Sequence, residues 1–279
     1  MDEKILITGA GGFIGRSLKE YFCSFENNVF WYTKDEMNLE NSEEVKRLLK
    51  REKYDIIIHC ATYDASPRFS VKDKTQVYSK NMCMFENLIS NREYFGKMFY
   101  FGSGIETVKQ VINQYALSKR EMSRRIQNTK DIYNLRLYSV YGKYADCRYR
   151  VLNNMCAKAA KNLPLVVPEN KISDFLNVED LSKIVSLFLK KSCLNHKIYD
   201  ICSGQVHSYD QVSQMVASES GFVEIKKSKN YKDCSFEYFG DNRNLLEEIK
   251  HEFTPIKTGI KSLIEYYKQQ NLDIAKFEY

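Results

Sequence analysis

Apolar and polar positions along the chain change period in a regular way. Ile5-Leu6-Ile7 is a short apolar run closed by Thr8-Gly9, the pattern of a buried strand. From Phe13 the apolar residues Ile14, Leu18, Tyr21 and Phe22 recur at helical spacing, and Val29–Tyr32 is a second strand-like run. Asn41 followed by Glu44 has the form of a capping box, opening a helix with Val45, Leu48 and Leu49 on one face. Tyr54–His59 predicts a third strand, and residues Asn81, Phe85, Leu88 and Ile89 a third helix. Met98–Phe101, Gln114–Ile126 and Asn134–Tyr138 continue as strand, helix and strand. Such alternation predicts an α/β fold, a parallel sheet covered by helices on both faces.

Beyond Gly142 the pattern loosens. A helix over Val151–Lys161 and a proline-bracketed strand, Leu165–Val167, precede a helix at Val178–Leu189. A strand at Lys197–Ile201 has the composition to rejoin the first sheet. From about Gly204 the chain reads as a smaller mixed domain.

Composition narrows the class. The 279 residues are 43% hydrophobic, enough for a sizeable folded core. The net charge of +6 comes without a dense Lys/Arg run, so it tilts toward anionic small molecules or a solvated surface and not toward nucleic acid. Eight cysteines lack CxxC or His-rich spacing, so neither a zinc site nor a redox motif is signalled, and free thiols fit a reducing cytoplasm. No signal-peptide pattern and no membrane-length apolar stretch are present, so no membrane association is expected.

The candidate chemistry begins at Gly9-Ala10-Gly11-Gly12-Phe13-Ile14-Gly15, between a strand and a helix. Gly9 permits a tight turn, Gly12 a close backbone approach to a pyrophosphate, and Gly15 close packing of helix on sheet. The pyrophosphate of a nicotinamide dinucleotide then meets the amides and positive dipole of the helix N-terminus. NAD sites usually carry an acid at the end of the second strand; here Thr33 and Lys34 stand there, followed by Asp35. Lys34 with Thr33 favours the 2′-phosphate of NADP(H); NAD(H), with Asp35 on the ribose, is the alternative.

Tyr115 and Lys119 lie at i and i+4, on one helix face. An ammonium beside a phenol favours the phenolate and so makes it an acid–base group, and a hydroxyl at Ser103 is placed to orient a carbonyl.

Taken together these features resemble the extended short-chain dehydrogenase/reductases acting on nucleotide sugars, over nearly the whole chain. The matching pieces are the glycine turn, Ile58-His59-Cys60-Ala61-Thr62, Asn81, Phe101-Gly102-Ser103, Tyr115 with Lys119, the run Arg136 to Gly142, and Asp174 to Asp180. Tyr32 to Leu39 resembles the NADP-using GDP-fucose synthases in particular. The resemblance implies a Rossmann-type doubly wound parallel sheet, 1–142 plus about 174–203, binding the dinucleotide. It implies a small mixed C-terminal domain, about 143–173 plus 204–279, binding the nucleotide sugar. It implies Ser103, Tyr115 and Lys119 as the catalytic set. Cofactor contacts are expected from Gly9, Gly12, Phe13, Ile14, Gly15, Thr33, Lys34, Asn38, Leu39, Cys60, Ala61, Thr62, Asn81 and Val140, with Tyr115 and Lys119. A homodimer through the helices near 81–91 and 114–126 is the family's expectation; a monomer with two amphipathic surface helices is the alternative.

Departures from the family narrow the chemistry. Gly104-Ile105 follows Ser103 where dehydratases carry an Asp-Glu pair, and Ile105 stands where GDP-fucose synthases have the epimerising cysteine. Ser139 replaces a usual Asn, and Ser173 the usual diphosphate-binding Arg, leaving Ser139, Arg148, Arg150 and Lys171 as candidate substrate contacts. Between Ser103 and Tyr115 an acidic loop of roughly a dozen residues is missing, which predicts a more open sugar pocket. The expected activity is NADP(H)-dependent reduction of a nucleotide-linked 4-keto, 6-deoxy sugar for surface polysaccharide. The alternatives are an NAD-dependent 4-epimerase and a non-catalytic dinucleotide sensor.

Overall fold

The computed structural model describes residues 3–23, 28–65, 70–221, 223–232, 236–273 and 277. They group into two compact units, Met1–Leu137 with Cys193–Tyr199, and Tyr138–Ser192 with Asp200–Tyr279.

The first unit runs β1 (Ile5–Thr8), α1 (Phe13–Phe22), β2 (Val29–Tyr32), α2 (Ser42–Glu52), β3 (Tyr54–His59), α3 (Val77–Ile89), β4 (Phe95–Ser103), α4 (Gln114–Gln127) and β5 (Ile132–Leu137). In the second follow β6 (Ser139–Tyr141), α5 (Val151–Ala159), β7 (Leu165–Val167), β8 (Lys171–Asn177) and α6 (Val178–Leu189). The chain returns to the first unit over Cys193–Tyr199, where β9 (Ile198–Ile201) begins. It ends with β10 (Val206–Ser208), α7 (Tyr209–Ser220), β11 (Ile225–Lys227), β12 (Phe236–Tyr238), α8 (Arg243–Glu248) and α9 (Ile256–Lys268).

The main sheet has the order β2-β1-β3-β4-β5-β9, with β1, β2, β3, β4 and β5 paired in parallel. The return strand does rejoin this sheet. Strand order reverses beside β1, the switch point at which open α/β sheets form crevices for ligands. Leu6, Ile57, Met98 and Tyr100 from the sheet bury against Leu49, Phe85, Leu88, Met122 and Ile126 from the helices. Each such side chain contributes about 1.5–3 kcal/mol of transfer free energy, which is why the 3.6-residue and strand patterns are so plain here. In the second unit β8 is the centre of a small mixed sheet with β6, β10 and β12, and α5, α7 and α9 pack around Leu152, Met155, Val212, Val216, Ile260 and Leu263. No helix of the described residues is long and apolar enough to cross a membrane.

Several boundaries differ from the sequence expectation. β4 extends beyond Met98–Phe101 at both ends, β5 spans Ile132–Leu137 and leaves Tyr138 outside, and α5 ends at Ala159, with Asn162 at φ 55°. β6 and β8 were not expected as strands.

The capping box at α2 is only half formed. Asn41 Oδ1 accepts the Glu44 N–H at 3.2 Å, but the Glu44 carboxylate takes the N–H of Asn38 at 2.9 Å instead of that of Asn41. The Asn41 N–H already donates to the Asn38 carbonyl, so the carboxylate serves the next donor upstream. Asn41→Ala is expected to cost about 1 kcal/mol in urea unfolding; an unchanged midpoint would show that this cap carries nothing.

Candidate active site

The glycine turn is shaped by close backbone packing. Gly9 has φ +69°, and a Cβ there would lie 2.6 Å from the Ala61 nitrogen. One at Gly15 would lie 2.4 Å from the Gly9 carbonyl oxygen. These two glycines therefore hold turn, helix and β3 end together. Gly11 and Gly12 are exposed. Gly12 is the N-cap of α1 with no side-chain cap, and the helix's first turn holds no acid. The Gly12 N–H donates to the Gly9 carbonyl at 3.0 Å, and no acid of the first turn offsets the positive end of the helix dipole, a fit for a dinucleotide pyrophosphate.

The strand end beside the turn carries both signs of charge. The Thr33 methyl would be 3.6 Å from a Cβ at Gly11, so residue 33 neighbours the turn. Its N–H donates to Glu36 Oε2 at 2.7 Å, a bond that holds the Glu36 carboxyl below its ordinary value. Lys34 is 71% exposed and reaches Glu40 at 3.4 Å. An exposed pair of that kind is worth about 0–1 kcal/mol, so Lys34 is readily redirected to another anion. Asn38 is committed to the following turn, its Oδ1 accepting the Glu40 N–H, and Leu39 is buried.

At the end of β3, His59 is buried and stacked on Tyr100, with its Nδ1 2.8 Å from the Thr8 hydroxyl. Burial, and then the Lys119 charge, push its pKa down to about 3, so the ring is neutral at physiological pH. Burial also raises the Cys60 thiol, removing it from thiolate chemistry. Asn81 Oδ1 accepts the Tyr63 N–H at 2.7 Å and its Nδ2 donates to the Tyr63 carbonyl at 3.1 Å. Thr62 Oγ1 reaches the same Oδ1 at 3.4 Å. Asn81 thus fixes the segment after β3, next to the glycine turn.

Tyr115, Lys119 and Ser103 come from α4 and the end of β4. Asn113 caps α4 by accepting the Ala116 N–H at 2.8 Å, which places Tyr115 in the first turn, half-buried. One turn on, Lys119 is buried and donates to the Phe101 carbonyl at 2.8 Å. Its nitrogen lies 4.5 Å from the Tyr100 ring centroid and 5.5 Å from that of Tyr115. Burial lowers its pKa to about 8, against the opposing pull of Glu106 and Asp64. Its charged form still predominates at pH 7. Two residues after Phe101, Ser103 Oγ accepts the Ile105 N–H at 3.3 Å, opening a single 3-10 turn, Gly104–Glu106.

The short segment that follows is bound to α4. Arg120 donates from Nε to the Glu106 carbonyl at 3.2 Å, and also reaches the carbonyls of Ile105 and Val108. Three charged residues of this region were not singled out from the sequence: Glu106, Arg120 and Glu36. For Glu106 a signal existed, because Ser103-Gly104-Ile105-Glu106 has capping-box spacing.

The remaining candidates belong to the second unit. Val140 is buried in β6, paired with Leu176. Ser139 Oγ lies 2.5 Å from Ser173 Oγ, which donates to the Tyr238 carbonyl at 3.1 Å. Arg148 makes a two-point pair with Asp146, at 2.8 and 2.5 Å. Arg150 lies 5.5 Å from the Tyr149 ring centroid, and Lys171 4.5 Å from that of Tyr238. Burial lowers the Lys171 pKa. Among the described residues no group of His, Cys, Asp and Glu is arranged to hold a metal ion.

A parallel sheet with a glycine turn at its switch point and a Tyr/Lys helix on its flank defines a protein of the Rossmann-like dinucleotide fold. The chain belongs to the NAD dependent epimerase/dehydratase family, whose model matches residues 5–202. It is 25% identical to the GDP-6-deoxy-D-talose 4-dehydrogenase of Aggregatibacter actinomycetemcomitans, covering 98% of this chain and 99% of that one. In fold it is similar to a GDP-mannoheptose C4 reductase from Campylobacter jejuni with NADP bound, at TM-score 0.79, 19% identity and 96% and 98% coverage. It is similar also to the UDP-glucose 4-epimerase of Thermus thermophilus in complex with NAD, at TM-score 0.79, 19% identity and 95% and 99% coverage.

Proposed function

We propose that this protein is an NADP(H)-dependent reductase of a nucleotide-linked 4-keto sugar, a 6-deoxy sugar on its way to surface polysaccharide. The observation that carries the reading is the buried Lys119 amine, fixed to Phe101 and set against the ring of Tyr115. The first unit holds the dinucleotide, with Gly9, Gly12 and Gly15 shaping the pyrophosphate cradle and Thr33 and Lys34 beside the adenosine ribose. The second unit holds the nucleotide sugar, with Ser139, Arg148, Arg150 and Lys171 as its candidate contacts.

The chemistry a bound NADPH supplies is hydride donation. The chain's own residues handle the oxygen of the keto group. Ser103 donates a hydrogen bond that polarises the carbonyl. Tyr115 delivers the proton, and Lys119 keeps the phenol in a field where losing that proton is favourable. A site of this kind needs no metal ion to polarise the carbonyl.

A second reading, an NAD-dependent 4-epimerase, is favoured by Glu36, an acid at the end of β2 with its carboxylate on the Thr33 N–H. Both readings use the same Ser103, Tyr115 and Lys119. NADPH oxidation against GDP-, CDP- and dTDP-4-keto-6-deoxy sugars separates them. Reduction of at least one member is expected. If none is reduced, and NAD copurifies with the protein without consumption of added NADPH, the epimerase reading replaces the reductase.

A further inference from the structure

Behind Ser103 lies a buried charge that the reaction as described does not use. The Glu106 side chain is 2% exposed, and its carboxylate is bonded to β4 and β5. Oε1 accepts the Ser103 N–H at 2.9 Å. Oε2 accepts from Asn134 Nδ2 at 2.9 Å and from Arg136 Nε at 2.9 Å. Asn134 Nδ2 also donates to Ser123 Oγ at 3.0 Å, joining α4 to the cluster. Gly102 leaves room for this arrangement: a Cβ there would lie 2.3 Å from Glu106 Oε1 and 2.1 Å from Asn134 Oδ1.

We propose that Glu106 is a positioning residue of the Ser103, Tyr115 and Lys119 site, holding the Ser103 backbone and supplying the negative charge against which Lys119 is set. This rests on the catalytic reading of those three residues. A purely mechanical brace at this place needs no charge, since an amide or a hydroxyl can also accept the Ser103 N–H. A carboxylate removed from water is costly unless it is paired, and here the pairing groups are themselves drawn from the strand beside β4. The charge also acts at a distance. Glu106 is the first of the groups that counter the effect of burial on the Lys119 ammonium, ahead of Asp64. The titratable groups facing Lys119 are Glu106 from the 3-10 turn, Asp64 and His59 from β3 and the segment after it, Tyr100 from β4, and Tyr115 from its own helix. Within that set Glu106 and Asp64 are the carboxylates, and Glu106 is the one bonded to Ser103.

The sign of the effect makes the test decisive. Reduction requires the protonated Tyr115–Lys119 pair, so the rate falls as pH rises through the titration of that pair. Glu106→Gln removes the negative charge and is expected to move this alkaline limb down by about one pH unit, about tenfold in rate above the limb. Arg136→Gln removes the opposing positive charge while keeping a donor toward Glu106, and is expected to move the limb up. A structural ion pair alone predicts loss of stability in both variants and no displacement of the limb in either. Limbs unmoved, or moved in the same direction, would overturn the proposal. Should Glu106→Gln fail to fold, the upward shift in Arg136→Gln decides alone. The same titration is read without any sugar from the ultraviolet phenolate absorbance that Tyr115→Phe abolishes, measured in each background. If the wild-type protein reduces no member of the sugar panel, the reductase reading fails, and the phenolate titration still decides the role of Glu106.

Discussion

Replacing Tyr115 by Phe is expected to lower turnover of the 4-keto sugar by about 10²- to 10⁴-fold, the usual contribution of a positioned proton donor. NADPH affinity, read from the quenching or enhancement of its fluorescence, is expected to stay within about twofold of wild type. The structure separates these two effects. Lys119 keeps its bond to the Phe101 carbonyl and its place over Tyr100 whether or not residue 115 carries a hydroxyl. The α4 N-terminus is capped by Asn113, which the substitution leaves in place. The variant thus removes the transferable proton while the Lys119 and Asn113 bonds that set α4 against β4 remain. A Tyr115→Phe protein with wild-type turnover would remove the proton-donor role from this residue; a variant without turnover that keeps its biological function would put the dinucleotide-sensor reading in place of the reductase.

The order of strands and helices in the first unit was legible because its central apolar runs are buried almost completely, while the edge strand β2 is half-buried along its length. Ile5, Leu6 and Ile7 in β1, and Ile56, Ile57 and Ile58 in β3, are at most 1% exposed. Where the reading fell short, the cause is a side chain whose role is set by a distant residue. β4 reads as only Met98–Phe101 because Gly96 and Gly102 interrupt the pattern, and glycine ordinarily marks a boundary. Here both glycines are inside the strand. A Cβ at Gly96 would lie 2.4 Å from the Asp55 carbonyl oxygen of β3, while Gly102 makes space for Glu106 and Asn134. Neither constraint is visible in a local window. β8 stayed hidden for a related reason: Ser173 and Asp174 are buried but polar. Asp174 is held by the N–H and hydroxyl of Ser203, 29 residues on.

In the site the same division holds. Tyr115 and Lys119 are readable from a spacing of four on one helix. Glu106 depends on Asn134 and Arg136, about thirty residues away, and its capping-box spacing to Ser103 signals a turn without signalling burial. Sequence spacing identifies groups that act along one element; it is silent on charges paired across strands.

The largest effect on cofactor binding is expected from Gly9→Ala. Two costs add at this position, and a second glycine allows them to be told apart. Gly221, at the end of α7, has φ +89° with nothing within 4 Å of a Cβ, so Gly221→Ala meets only the backbone penalty, about 1–2 kcal/mol. Gly9 has φ +69° and would in addition press its Cβ to 2.6 Å from the Ala61 nitrogen and 2.7 Å from the Ala61 Cα. These are backbone atoms of the segment that Asn81 fixes through Tyr63, so they have little freedom to yield. The expected loss in urea unfolding is therefore larger for Gly9→Ala, about 3 kcal/mol or more once overpacking is added to strain. The turn must open to relieve the contact, which displaces the Gly11 and Gly12 amides from α1. NADPH affinity is expected to fall at least about 100-fold, the equivalent of about 3 kcal/mol, whereas Gly221→Ala leaves it unchanged. Equal destabilisation in the two variants would mean that the β1–α1 turn gives way freely. Wild-type NADPH affinity in a folded Gly9→Ala protein would place the dinucleotide elsewhere than on this turn.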